Sequence, residues 1–231
     1  IVTVSYADKS LLEEKKVTNM IQVIYNGVEQ QTVQSSDEDE VIAQIASYRD
    51  KGYKVIGCIG SVCNRKNQRL LIEAVSKVKR DILIVLIGEV DESSDIKEVV
   101  AKYEDRVNVE FFGYKKDASQ YIRCFDYLCL PSQSEGMPIV IMEAFKEKTP
   151  VICSDIKCHQ ELITEGQEGY LFKNNDALSL SQVIESAIKT EQTNVIVEKA
   201  YKKYEALFMK DECMRKYDEL YNTMINGSAS C

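Results

Sequence analysis

SQSEGMPIVIMEAF, residues 132–145, follows directly on DYLCLP, residues 126–131. The apolar run Tyr127 to Leu130 reads as a buried strand, and Ser132 to Gly136 as a short polar loop. A helix is expected from near Met137, with Pro138 in its first turn, where no backbone donor is needed. Strand, loop and helix start, in that order, make a site for an anion. Free backbone N–H groups and the positive end of the helix dipole face into the loop. Two carboxylates bracket the site, Glu135 in the loop and Glu143 two turns down the helix.

Outward from this stretch the pattern is regular. Strands are predicted at YKVIGCIG (53–60), ILIVLIG (82–88), VNVEFFG (107–113), DYLCLP (126–131), VICSD (151–155) and GYLFK (169–173). Helices are predicted at 41–52, 68–79, 94–105, 115–125, 137–148, 157–166 and 177–190. Short, continuously apolar strands alternating with helices predict a doubly wound α/β domain. Its parallel sheet of about six strands is buried on both faces and carries helices on both sides. Ligands of such sheets bind at the carboxyl ends of the strands. The loops after Ile59, Ile87, Phe112, Leu130 and Cys153 are therefore the candidate site. Residues 1–25 read as strand, helix and strand, and Asn26-Gly27 as a turn. QSSDEDEV, residues 34–41, reads as a solvated acidic loop. From about Thr193 the chain is helical. One apolar stripe contains Tyr201, Tyr204, Leu207 and Phe208; another contains Met214, Tyr217, Leu220, Tyr221 and Met224. Both read as packing faces.

The 231 residues carry a net charge of -8. That argues against a broad nucleic-acid surface, which needs clustered Lys and Arg. The longest apolar runs are too short to span a bilayer, and no signal peptide is visible. The opening IVTVS, without a starting Met, reads as a piece of a longer protein. The eight cysteines form no C-x-x-C pair, and His159 is the single histidine. They are expected to be reduced, small core residues, with no metal site.

The spacing of Glu135 and Glu143 resembles the E-x7-E signature of retaining glycosyltransferases with the two-domain GT-B fold. The text is similar to that of glycosyltransferase family 4: S-x-x-E-G-x7-E-A, carried here by Ser132, Glu135, Gly136, Glu143 and Ala144. Three further pieces agree. Val23-Ile24-Tyr25-Asn26-Gly27-Val28-Glu29 is similar to the family's crossover between domains. Gly60 and Lys66 match its G-R-L-x-x-x-K, except that Ser61 stands where the family has Arg. Ser154, Glu161, Leu162, Gly166, Gly169, Leu171 and Phe172 match its last loop. The resemblance implies the C-terminal, donor-binding half of a GT-B enzyme. Residues 1–27 would be the crossover from an absent N-terminal domain, 28–192 a Rossmann-like nucleotide-sugar-binding domain, and 193–231 helices packing back toward that absent domain.

It also implies roles. Glu143 holds the ribose hydroxyls. Glu135, Gly136, Met137, Ile139 and Val140 surround the donor sugar and its phosphate, and Gly60, Ser61 and Lys66 the diphosphate. Gly113 and Tyr114 lie against the base, which the resemblance implies is the uracil of a UDP-sugar donor. Glu135 and Lys66 are the catalytic candidates. Arg65 is expected to face elsewhere, Asn67 to cap the following helix, and the acidic Glu89 and Asp91 to stay at the rim. Glu161 is expected as a helix-start carboxylate and His159 as structural. The implied activity is transfer of a hexose from a nucleotide diphosphate sugar to a glycan or glycolipid in polysaccharide biosynthesis. It needs no cofactor or metal. It takes place in the cytoplasm, with membrane contact only through the absent domain, and the fragment alone would be inactive. A non-catalytic nucleotide-binding or interaction module of the same fold is the alternative, favoured by Ser61 and the absent domain. A flavodoxin-like receiver would leave E-x7-E unexplained.

Overall fold

The computed structural model describes residues 1–17, 20–30 and 39–228, and the side chains to 225. Most of the acidic loop at 34–41, and Cys231, lie outside the described residues. Among the described residues eight strands and nine α-helices follow in chain order. They are β1 (Val2–Thr3), α1 (Tyr6–Glu14), β2 (Gln22–Val23), α2 (Glu40–Asp50), β3 (Lys54–Ile59), α3 (Gln68–Val75), β4 (Ile82–Ile87), α4 (Ile96–Tyr103) and β5 (Asn108–Phe111). After a 3-10 helix, Ala118–Cys124, come β6 (Tyr127–Leu130), α5 (Ile139–Lys146), β7 (Val151–Ser154), α6 (Lys157–Leu162), β8 (Tyr170–Phe172), α7 (Ala177–Lys189), α8 (Thr193–Leu207) and α9 (Lys210–Ser228).

Six strands form one parallel sheet in the order β5-β4-β3-β6-β7-β8. Each of the six predicted strands is present. Alternate side chains leave the sheet on opposite sides. Val55, Leu83 and Val85 pack under α2, α5 and α8. Ile56, Ile84 and Leu86 pack under α3, α4 and α7. This is a Rossmann-like layer of the kind that forms the C-terminal half of a GT-B fold. Strand order reverses between β3 and β6, so the crevice opens between their carboxyl ends.

Several local expectations are corrected. The helix expected over 115–125 is a 3-10 turn, entered through Asp117 at φ 55°. β5 is not buried on both faces; as the edge strand it is half-buried, with Phe111 exposed. The second strand expected at 20–25 shrinks to Gln22–Val23, paired only with β1. α1 begins at Tyr6, because Ser5 Oγ caps it by accepting from the Asp8 N–H at 2.9 Å. Of the two tail stripes, Tyr204 and Phe208 are buried at 1% exposure each, whereas Met214, Tyr221 and Met224 are exposed. At its start α9 is tied to the body through Val28, which donates to Phe208 O and accepts from the Lys210 N–H. None of the described residues of α9 is buried.

Cys58, Cys129, Cys153 and Cys158 are free thiols buried in the core, and Cys63, Cys124 and Cys213 are free and partly buried. Among the described residues no group of three or more His, Cys, Asp or Glu could hold a metal ion. No described helix is long and apolar enough to cross a membrane.

Candidate functional site

Three strand-end loops meet at the crevice. The loop after β3 turns at Gly60, whose φ of 129° favours glycine. Lys66 folds back over it. Its Nζ lies 3.7 Å from where a Gly60 Cβ would be. The buried Gln68 holds the loop's shape, its Nε2 donating to Ser61 O at 3.0 Å. Gln68 had no signal in the sequence that separates it from an ordinary helix residue. Asn67 stands at the helix start, as expected, but makes no cap with its side chain. Its backbone is left-handed at φ 56°, which swings Nδ2 away toward Asn175 Oδ1 at 3.4 Å.

The loop after β6 carries Glu135 into the same place. Its carboxylate is 8% exposed and is gripped by two cations. Lys66 Nζ lies 2.7 Å from Oε1, and Arg65 Nη1 lies 2.9 Å from Oε2. Arg65 Nη1 also donates to Ser134 O at 2.9 Å. Arg65 therefore does not face elsewhere. The Gln133 N–H donates to Arg65 O at 2.9 Å and ties the two loops together, and the guanidinium is held in the site by its own bonds to Ser134 O and Glu135. Burial raises the Glu135 carboxyl, but Lys66, the Ser132 hydroxyl and Arg65 around it outweigh that and hold it below the usual range.

Pro138 stands one residue before α5, at φ -76°, and not within its first turn. Met137 and Val140 pack partly against the core, and Ile139 is exposed. Glu143 is half-buried in α5; burial raises its carboxyl, and Lys146 offsets only part of the rise.

Gly60, Ser61, Gly88, Glu89, Tyr114 and Lys115 line one cavity of about 390 Å³ at the carboxyl ends of β3 and β4. Tyr114 is 70% exposed, a wall and not a core residue. Gly113, at φ 62°, does not line the cavity but accepts from the Gly88 N–H at 2.8 Å, so it fixes that wall. Glu89 is exposed on the cavity's edge, and Asp91 does not line it. Ser134 and Glu135 line a second cavity of about 240 Å³ with Ala7, Asp8, Leu11 and Cys158. Neither cavity is lined by Gly136, Met137, Ile139, Val140 or Glu143.

Glu161 does serve a helix start, though not that of its own α6, which ends at Leu162. Its carboxylate accepts from the Tyr6 and Ala7 N–H groups at 2.8 and 3.1 Å, at the head of α1. His159 is fully buried. Its Nδ1 lies 2.8 Å from the carbonyl of Ser154, and burial pushes the imidazole down to about 4.

Comparison with known proteins agrees with this architecture. An uncharacterized glycosyltransferase of Methanocaldococcus jannaschii is 24% identical over 226 residues, 97% of this chain and 59% of that protein. An Escherichia coli UDP-Gal:alpha-D-GlcNAc-diphosphoundecaprenol alpha-1,3-galactosyltransferase is 24% identical over 89% of this chain and 54% of its own length. The crystal structure of Anabaena HepE in complex with UDP and glucose superposes with a TM-score of 0.84 at 21% identity, over 96% of this chain and 62% of that one. The chain thus spans little more than half the length of these relatives. The model of the family described as glycosyl transferases group 1 matches residues 39–204, and the chain belongs to that family.

Proposed function

We propose that this chain is the donor-binding half of a retaining family 4 glycosyltransferase that uses a nucleotide diphosphate sugar, with uridine as the base. The observation that carries the proposal is Glu135, held between Lys66 and Arg65 where the sheet changes direction. The base occupies the cavity beside Tyr114, and Glu143, which lies outside that cavity, takes the ribose hydroxyls. Lys66, Arg65 and the amides of the loop before α5 hold the diphosphate. Glu135 orients the donor sugar. As the sugar bond breaks, negative charge grows on the departing phosphate. Two fixed cations and a helix start then stabilise it more than they stabilise the bound donor. In this proposal no resident metal is needed, since those groups supply the positive charge. HepE of Anabaena has been crystallised with UDP-glucose, which supports a UDP-sugar donor.

Residues 1–27 are proposed as the crossover from an N-terminal domain, 28–192 as the donor domain and 193–231 as helices returning toward that first domain. The acceptor, a glycan or glycolipid, would be held there. The reaction is placed in the cytoplasm. A non-catalytic nucleotide-binding module is the second reading, favoured by the uncharged Ser61. The 231-residue chain should bind UDP in titration calorimetry yet turn over no labelled UDP-sugar. Transfer or hydrolysis at about 1 per second or faster would contradict the division of labour between domains.

Glu143 gives a second expectation. Its folded-state pKa is raised, so the fold disfavours the carboxylate. That stability is present below the unfolded value and is lost as pH rises through the folded one. Glu143→Gln should therefore raise the thermal midpoint at pH 7. The same change should weaken uridine by about three- to tenfold, the worth of a charge-assisted bond lost to a neutral one. It should leave 2′,3′-dideoxyuridine unchanged. Equal weakening of both nucleosides would rule out the ribose contact.

A further inference from the structure

One buried polar chain runs under the Glu135 loop and has no part in the proposal above. His159 Nδ1 lies 2.8 Å from Ser154 O and 3.2 Å from Ser154 Oγ. A carbonyl can only accept, so Nδ1 carries the proton and forks it between the two oxygens. Nε2 is then the bare nitrogen. Ser154 Oγ lies 2.6 Å from Ser132 O and donates to it. His159 and Ser154 are fully buried, and Ser132 is 1% exposed. The route leads from α6, through the end of β7, to the residue three before Glu135.

The direction of these bonds matters. A serine hydroxyl has one proton and rotates to suit its neighbours. With Nδ1–H facing its lone pair, Ser154 must send that proton to Ser132 O. Without that donor the hydroxyl can turn, and Ser132 O loses a buried partner. Other polar ties on the first residues of the loop include the Gln133 N–H to Arg65 O, Asn174 Nδ2 to Gln133 O at 3.4 Å, and Arg65 to Ser134 O. Two of those belong to a residue that also answers to the ligand's charge. The Ser154 bond is the buried one.

We propose that His159 is a positioning residue of the donor site, which acts through Ser154 to fix the loop that presents Glu135 and its amides to the diphosphate. The proposal rests on the donor-binding reading. Its burial keeps His159 neutral through the physiological range, so the bond pattern does not switch there.

Asn carries its amide nitrogen near the place of Nδ1, whereas Gln carries it near Nε2. Titration calorimetry of the 231-residue chain with UDP and with uridine then separates the cases. His159→Gln and Ser154→Ala should each weaken UDP by about tenfold, the worth of one buried hydrogen bond in the loop. Both should leave uridine within about twofold. His159→Asn should keep the affinity for UDP. Equal losses for UDP and uridine, or full UDP affinity in Ser154→Ala, overturns the proposal. If His159→Gln does not fold by circular dichroism, Ser154→Ala and His159→Asn decide. If the unaltered chain binds UDP no better than uridine, the donor-site reading itself fails, and the role of His159 with it.

Discussion

Lys66→Ala is expected to weaken UDP by about ten- to a hundredfold and to leave uridine nearly unchanged, since a charge-assisted hydrogen bond contributes about 1.5–3 kcal/mol and each 1.4 kcal/mol is a decade. The ammonium lies over Gly60, next to the carboxylate of Glu135, with its side chain only 19% exposed. An ammonium has three donors. It can keep Glu135 and still meet a phosphate oxygen. Removing it leaves the nearly buried Glu135 with Arg65 as its remaining ion-pair partner and strips the diphosphate of its least solvated cation. Arg65→Ala should cost less, about three- to tenfold, because its side chain is 52% exposed and already solvated. Calorimetry on the three proteins with both ligands is the measurement. Equal losses for UDP and uridine in Lys66→Ala would mean that the lysine supports the loop and not the phosphates.

Gly88→Ala is expected to cost about 2–5 kcal/mol of stability, combining backbone strain with overlap. The residue sits at φ 153°, and an added Cβ would stand 2.2 Å from the carbonyl oxygen of Gly60. That atom is backbone at the end of the neighbouring strand, so it cannot rotate aside. The two strand ends would have to part, which also opens the wall of the larger cavity. Gly113→Ala is the control. It has a left-handed φ of 62° but nothing within 4 Å of the new Cβ, so only strain of about 1–2 kcal/mol applies. Urea unfolding of the three proteins ranks them. A loss in Gly88→Ala no greater than in Gly113→Ala would show that the strand ends are less tightly apposed than described.

The strands were legible because sequences such as ILIVLI have no polar face to offer water, and only a doubly covered sheet suits them. The expectation for Lys66 came from the resemblance of Gly60 and Lys66 to the family's G-R-L-x-x-x-K text. Arg65 was not legible. Its guanidinium meets Ser134 O and Glu135, in a loop far along the chain. Asn67 looked like a cap by residue type, but the left-handed turn it occupies points its amide at a different loop. Glu161 binds a helix head 155 residues earlier in the sequence, which no local pattern encodes. Edge exposure of β5 was legible in part, because Asn108 and Glu110 alternate with Val109 and Phe111 where β4 runs unbroken as ILIVLI; its place at the border comes from the strand order.

The pairing of β3 with β6 has a mechanical consequence. β3 shares six rungs with β4, Lys54↔Ile82 to Ile59↔Ile87, but only Ile56↔Tyr127 and Gly57↔Leu128 with β6. The sheet is thus two leaves joined along a short seam, closed also by the Phe125 ring against Gly57 and by Asp126, whose N–H donates to Val55 O and whose carboxylate accepts from the Val55 N–H and pairs with Lys54. Lys66 hangs from one leaf and Glu135 from the other, so their ion pair crosses the seam, as would any anion held between them. A ligand there acts as a clasp: it resists shear between the leaves, and its binding free energy adds to the work of pulling them apart.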